Sequence, residues 1–379
     1  MAYNRLIVPA LIVLAGVIAA VTFDRLTASE PPSMLSSAWL LQLDDMENNS
    51  NDGFAAVDQP WDYRFPVDHA AHPDFRAETW SLWTMVETDQ GRRLGLQLDL
   101  VRLALSPTEP DSTSAWATRQ VYRGQLLLTD PDDQRFDTSE RFSRAALGLA
   151  GTDDNGPVRV WIDDWQLNID DQTINLQADD DSNRYRLTLT TKSPPVTFDG
   201  DQNQGFYGYM LPELAVTGQI NGVDNNLTVN GYGWLDRSWG GLLLPQGQLA
   251  PNRFQLQLDD GRTLVLLQLH RRDGSGTPLT TGLLIDPNGE TRSLERQQIE
   301  LTALDQWSNS TDPVRYPSGW RLKIVDQQID ITLTPLLADQ EARLMLRYWS
   351  GLVTLIDHSQ QPVGRGRVIL TGYDSVKAN

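Results

Sequence analysis

The chain has 379 residues, 40% of them hydrophobic, enough for two cores of ordinary domain size. Its formal charge is -19, from 31 basic and 50 acidic side chains, which excludes nucleic acid and anionic lipid surfaces as main partners. Cysteine is absent, so disulfides, thiolate nucleophiles and zinc–thiolate sites are excluded as well.

In chain order, the first element is an apolar run from Leu6 to Phe23, preceded by Arg5. As a helix it would be about 27 Å long, enough for one membrane span. Residues 1–28 are read as a signal anchor or a cleaved signal peptide, both of which export the rest of the chain. Positive charge before the run and acid after it keep the short N-terminal tail inside. The expected location is therefore the periplasm, at the inner membrane if the helix is retained. Residues 29–52, containing "TASEPPSMLSS" and "LDDMENNSNDG", read as a linker.

From there the pattern has period two. "RRLGLQLDLVRLAL", "RQVYRGQLLLTD", "VRVWIDDWQLNI" and "RYRLTLTTK" predict half-buried strands, as do "RFQLQLDDGRTLVLLQLHRR", "GWRLKIV", "IDITLTPLL" and "RGRVILTGY". Turns are written as "DDG", "RDGSG" and "DPNGE". The chain is expected to be all-β, with a boundary in the Pro-, Gly- and Asp-rich stretch near residue 200: a first β domain over 53–199 and a second over 200–376. "TDQGRRLGLQL" from Thr88 is echoed by "DDGRTLVLLQL" from Asp259, which points to a duplicated unit. Many short antiparallel strands favour barrels, whose mouths bind apolar ligands.

The sequence has no GxSxG, GxxxxGK[ST] or HExxH motif, and no GxGxxG between a strand and a helix. Two stretches remain. "FPVDHAAHPDFRAETWSLW" carries His69 and His72 near Asp68, Arg76, Glu78 and Trp80. It reads as a metal-binding loop, a proton-handling pair, or a lid in which the imidazoles bond backbone and Arg76 pairs with Glu78. The lid is the expectation, and neither a metal nor a cofactor is called for. "FYGYMLPEL" places Tyr207 and Tyr209 on one side of an extended segment. "GYGWLDRSW" puts Trp234 and Asp236 on one face of a strand, with Leu235 and Arg237 on the other. A carboxyl held against indole loses hydration and stays protonated to higher pH. Asp236 is thus either a general acid beside the cation-stabilising rings of Trp234, Tyr207 and Trp239, or a structural carboxylate bonded to Arg237 or backbone.

"GFAAVDQPWDYRFPVDHAAHPDFRAETWSLW", "RFSRAALGLAG", "VWIDDWQL", "GYGWLDRSW", "RYPSGWRL" and "RGRVILTGY" resemble the AttH-like proteins, relatives of the carotenoid 1,2-hydratases (hydroxyneurosporene synthases). The resemblance runs from about Gly53 to Tyr373. It implies two tandem lipocalin-like β-barrels and an apolar ligand of lipid or isoprenoid type. It further implies a gene neighbourhood with lipoprotein-releasing-type ABC permeases, hence such a permease as partner. In the hydratases an acid at the position of Asp236 protonates an alkene, with an aromatic at the position of Trp234 and an aromatic segment matching Tyr207 and Tyr209. His69, His72 and Glu78 match the family's "DHxxHPxxRxE" pattern. This chain departs from the Glu-Trp-Trp-Tyr run that is usual for the family, having "AETWSLW" with Trp80. Three readings stand: an exported carrier of an apolar molecule, with Trp239, Tyr209, Arg237, His69, His72, Glu78 and Trp80 as ligand-binding candidates; a cofactor-independent hydratase or cyclase with Asp236, Tyr207 and Trp234 as its catalytic set; and an adaptor docking on a permease.

Overall fold

The computed structural model describes residues 52–198, 205–222, 226–241, 249–309 and 314–373. The expected helix of residues 1–28 and the linker up to residue 51 lie outside the described residues. No helix among the described residues is long and apolar enough to cross a membrane.

Strands dominate, because period-two sequences bounded by turn residues have no helical stripe to bury. In chain order the first set is β1 (Ala77–Thr88), β2 (Arg93–Ala104), β3 (Gln120–Asp130), β4 (Arg135–Arg144), β5 (Ala150–Asp153), β6 (Val158–Ile162), β7 (Trp165–Ile169), β8 (Thr173–Asp179), β9 (Asn183–Thr191), β10 (Val196–Phe198), β11 (Phe206–Gly222) and β12 (Asn226–Gly240). The second set is β13 (Leu249–Leu258), β14 (Thr263–Arg271), β15 (Leu279–Ile285), β16 (Thr291–Leu294), β17 (Glu300–Ser308), β18 (Arg315–Ile324), β19 (Ile329–Pro335), β20 (Glu341–Arg343), β21 (Arg347–Ile356) and β22 (Pro362–Leu370).

The first antiparallel sheet has the order β4-β3-β2-β1-β12-β11-β9-β8-β7-β6-β5, and the second β16-β15-β14-β13-β22-β21-β19-β18-β17. The two orders correspond around their closing pairs, with β1 matching β13 and β12 matching β22. The side strands β10 and β20 pair with the matching β11 and β21. The sequence echo falls at the same hairpin of each unit. In one, Gly91 donates to the Thr88 carbonyl and Thr88 to that of Arg92; in the other, Gly261 donates to Leu258 and Leu258 to Arg262. Both glycines sit at positive φ, 80° and 87°, where a side chain is strained. Each sheet curls around its own apolar core, giving two barrel-like halves.

The boundary differs from the expectation. Residues 206–240, assigned by sequence to the second domain, form β11 and β12 of the first sheet, and β12 pairs with β1 along its length from Ala77↔Gly240 to Thr88↔Val229. The first unit therefore needs its last strand to join its first, and the change of unit comes after Gly240, between β12 and β13. Local composition near residue 200 marks a loop within the unit, not its end.

The two halves meet face to face. Trp83, Trp234 and Met210 of the first sheet pack with Val265, Ile285 and Leu352 of the second. A polar seam runs beside them. Arg367 donates to Asp99 at 2.9 Å and to Ser81 at 2.9 Å, and Ser350 donates to Gln97 at 2.6 Å. All five side chains are buried, and each finds its partner across the seam or beside it, as buried polar groups must.

Candidate functional site

Alternation along β1, β11 and β12 sorts the candidate residues onto two opposite faces. Glu78, Trp80, Tyr207, Tyr209, Arg237 and Trp239 point into the first barrel, where the rings join its core. Trp234 and Asp236 point out into the seam. Register places Glu78 opposite Trp239, Trp80 opposite Arg237, and Tyr209 opposite Arg237 on the other side.

The segment before β1 fills the barrel from one end. Trp61, Tyr63, Phe65 and Ala70 pack on the core, and the Tyr63 hydroxyl donates to the Phe198 carbonyl at 2.6 Å. A 3₁₀ turn at Val67–His69 carries Asp68 and His69 inward, both buried. The expectation of a lid over the barrel is met in this sense, with different pairings.

Glu78 is the hub. It is fully buried, and its Oε1 accepts from Arg102 Nε at 2.7 Å and from the His72 backbone N–H at 2.8 Å. Its Oε2 accepts from Arg237. Burial alone would raise this carboxyl, but Arg102 and Arg237 outweigh it and hold Glu78 far below the usual carboxylate range. The expected Arg76–Glu78 pair is not formed; Arg76 lies over the Phe54 ring, 5.7 Å from its centroid. Arg237, one of the partners considered for Asp236, turns the other way. It donates to the Ala70 carbonyl at 2.6 Å and covers the Trp80 ring at 3.9 Å.

The histidines diverge. His72 stacks on Trp239, centroids 3.9 Å apart with planes at 5°, and its Nε2 lies 3.2 Å from Asp68. Arg237 lies 3.3 Å from His72 Nδ1 and can only donate, so Nδ1 accepts and Nε2–H serves Asp68. Asp68 is raised by burial, yet the bonds from His72 and from the Arg64 backbone bring it below its ordinary value. His69 Nδ1 meets the Tyr209 hydroxyl at 2.6 Å. Burial, seconded by the charge of Arg237, pushes the His69 imidazolium down to about 4, so the ring is neutral at pH 7. Burial drives Tyr209 the opposite way, well above the ordinary phenol range. The phenol therefore keeps its proton and donates it to Nδ1, which leaves the His69 Nε2–H without a partner among the described residues. Among those residues no three His, Asp or Glu side chains are grouped as metal ligands.

His69 borders a cleft of about 290 Å³ at the barrel mouth. Phe65, Leu211, Pro194 and Pro195 give it apolar walls, and Gln172, Thr191, Lys192 and Asp171 give it a polar rim. Phe65 and His69 join the cleft to the buried Tyr209 ring.

Asp236 has no part in this arrangement. Its Oδ2 pairs with Arg253 and accepts from Gln255 Nε2 at 3.1 Å, both from the second sheet, while Oδ1 bonds nothing among the described residues. Burial pushes the carboxyl up to about 6 against the pull of Arg253. Trp83 stacks with Trp234 beside it, centroids 6.1 Å apart. The expected set of Asp236 with Tyr207 and Trp239 is thus divided by the sheet itself, since residues an odd number apart face opposite sides.

Arg102, Leu211, Phe65 and Arg253 were missed by sequence reasoning. Arg102 did leave a signal: it is the one charge in the inward register Leu94, Leu96, Leu98, Leu100, Arg102 of β2, where a cation needs a buried carboxylate. Arg253 left none, because its partner lies on another sheet.

The AttH-like family model matches residues 56–373. An AttH-type protein of Nitrosomonas europaea has a similar crystal structure, with a TM-score of 0.73 and 28% identity, over 84% of this chain and 100% of that one. Kievitone hydratase from Nectria haematococca shares the fold at a TM-score of 0.59 and 16% identity, over 86% of this chain and 98% of that one. No curated protein sequence matches. With the family model spanning both barrel-like halves, the chain belongs to the AttH-like family.

Proposed function

We propose that the chain binds a small, largely apolar molecule of lipid or isoprenoid type at the mouth of the first barrel, its polar end on His69. The observation that carries this reading is the neutral His69, fixed by Tyr209, bordering an apolar-walled cleft of about 290 Å³. A handful of placed polar groups in an otherwise apolar concavity is the usual form of a small-molecule site, and this volume lies at the small end of the range. The cellular setting we propose is an exported carrier, held by Leu6–Phe23 and serving an ABC permease.

Acid–base chemistry on the bound molecule, as in a cofactor-independent hydratase, is the second reading, and the His69–Tyr209 hydrogen bond favours it. With Nδ1 taken by the Tyr209 hydroxyl, the neutral His69 presents a donating Nε2–H to the cleft, and neither group is a strong acid at pH 7. Such a donor suits an alkene conjugated to a carbonyl: Nε2–H holds the carbonyl oxygen while water adds its oxygen to the β-carbon and its proton ends on the α-carbon, which an isolated alkene does not allow.

The test is titration of the full-length chain with farnesol, followed by tryptophan fluorescence, in wild type and Leu211→Trp. Saturable quenching that the larger side chain abolishes is expected. Equal binding by the two proteins would move the site elsewhere. Release of hydrated farnesal, whose first alkene is conjugated to an aldehyde, in parallel mixtures, lost in His69→Phe, would establish the second reading.

A further inference from the structure

The cleft at the barrel mouth is one of three that border Lys192. The others lie along the seam between the two halves, with volumes of about 380 Å³ and about 280 Å³, and they share Lys192, Glu213 and Gly261. They form one groove, walled on one side by the loop after β9 and on the other by the β15–β16 turn at Asp286–Gly289. In its floor stands Tyr232 of β12, 46% exposed.

Two cations from different halves converge on that ring. The Arg365 guanidinium of β22 lies 3.6 Å from its centroid and the Lys192 ammonium 5.8 Å from it. Asp259 takes Nη2 of Arg365 and leaves the remaining guanidinium hydrogens without a partner among the described residues. Lys192 has no carboxylate partner among the described residues, whereas the other described lysine, Lys323, has Glu300 at 3.9 Å. Among those residues Lys192 is thus left unpaired beside a guanidinium that keeps free donors, and an anion can join the two.

From this convergence we infer a second binding site, distinct from the barrel mouth, for the anionic group (phosphate or carboxylate) of a small molecule lying across the seam at Tyr232. Lys192 and Arg365 hold the anion, and the tyrosine ring covers the body that carries it. An anionic membrane surface is a poor occupant, because the overall charge repels it. Glu213, which borders both seam clefts and has no cation partner among the described residues, limits the affinity. Because both halves contribute, an occupied site would also brace one against the other.

The experiment uses the full-length chain with ¹³C-labelled tyrosine, the Tyr232 signal being identified by Tyr232→Phe. Inorganic phosphate is titrated at low ionic strength, with phosphatidic acid vesicles as a parallel arm. A saturable shift of the Tyr232 signal is expected with phosphate, weakened at least fivefold by Lys192→Gln and strengthened by Glu213→Gln. Both substituted side chains are at or near the surface, so the fold tolerates them. A shift produced by the vesicles alone would refute the free-anion occupant and assign the site to a lipid headgroup. No saturable shift in either arm, or one that Lys192→Gln leaves unchanged, overturns the inference, and neither result bears on farnesol binding at the mouth.

Discussion

Glu78→Gln tests the hub of the first barrel most directly. The wild-type carboxylate is fully buried and neutralises two guanidinium groups, Arg102 and Arg237, themselves fully buried. Glutamine keeps the size and one oxygen, which retains the bonds from Arg102 Nε and the His72 backbone, 2.7 Å and 2.8 Å in the wild type. It removes the charge and turns an amide toward Arg237, setting donor against donor. Two buried cations lose their shared counter-ion, a change of the kind that costs about 3–5 kcal/mol. At roughly 2 °C per kcal/mol for a unit this large, the melting temperature at pH 7.5 falls by about 6–10 °C. The pH dependence has a definite sign. Because the arginines hold folded Glu78 below the ordinary value of about 4.3, its stabilisation is complete above that value and is lost as pH falls beneath it. Urea unfolding of both proteins between pH 7.5 and 3.5 should therefore show the gap narrowing at the acid end. A loss under about 1 kcal/mol at pH 7.5, or a gap independent of pH, would refute the ion-pair account of this site.

Asp236→Asn gives the opposite pH signature: folded Asp236 sits at about 6, against about 3.9 unfolded, so wild-type stability declines as pH rises between those values. The asparagine variant should lack this decline, about 3 kcal/mol across the window, and should bind farnesol unchanged; loss of binding would return Asp236 to the ligand site. His69 titrates near 4, so farnesol affinity should be flat from about pH 5.5 to 8.5, and an inflection near the ordinary imidazole value of about 6.5 would show a ring open to water. Gly208→Ala should cost about 2–3 kcal/mol in urea unfolding, because its Cβ would stand 2.3 Å from the Arg237 carbonyl oxygen and 2.4 Å from the Phe198 ring; near-neutral behaviour would mean that β11 and β12 separate there readily.

Much of the architecture was written in the chain, and what escaped has one physical cause. Period two correctly places Trp234 with Asp236 and Leu235 with Arg237, and the echoed turn correctly marks a duplicated hairpin. Period two cannot say which face is which when both are buried. The first part of β12 alternates in exposure, but from Trp234 to Gly240 every residue is buried, one face by the barrel core and the other by the second sheet. The same holds for β2, where Gln97 and Asp99 look like solvent-facing residues in sequence and prove to be seam residues bonded to Ser350 and Arg367. A carboxylate between two indoles on such a strand resembles a catalyst, because its true counter-ion, Arg253, is supplied by a sheet that local sequence cannot place beside it. The converse error concerns Glu78. Two arginines from different strands converge on it, and only the pairing of β1 with both β2 and β12 brings them together. Charged residues on doubly buried strands thus carry the information about how the halves of this protein join, and variants that shift their ionisation should change stability before they change ligand affinity.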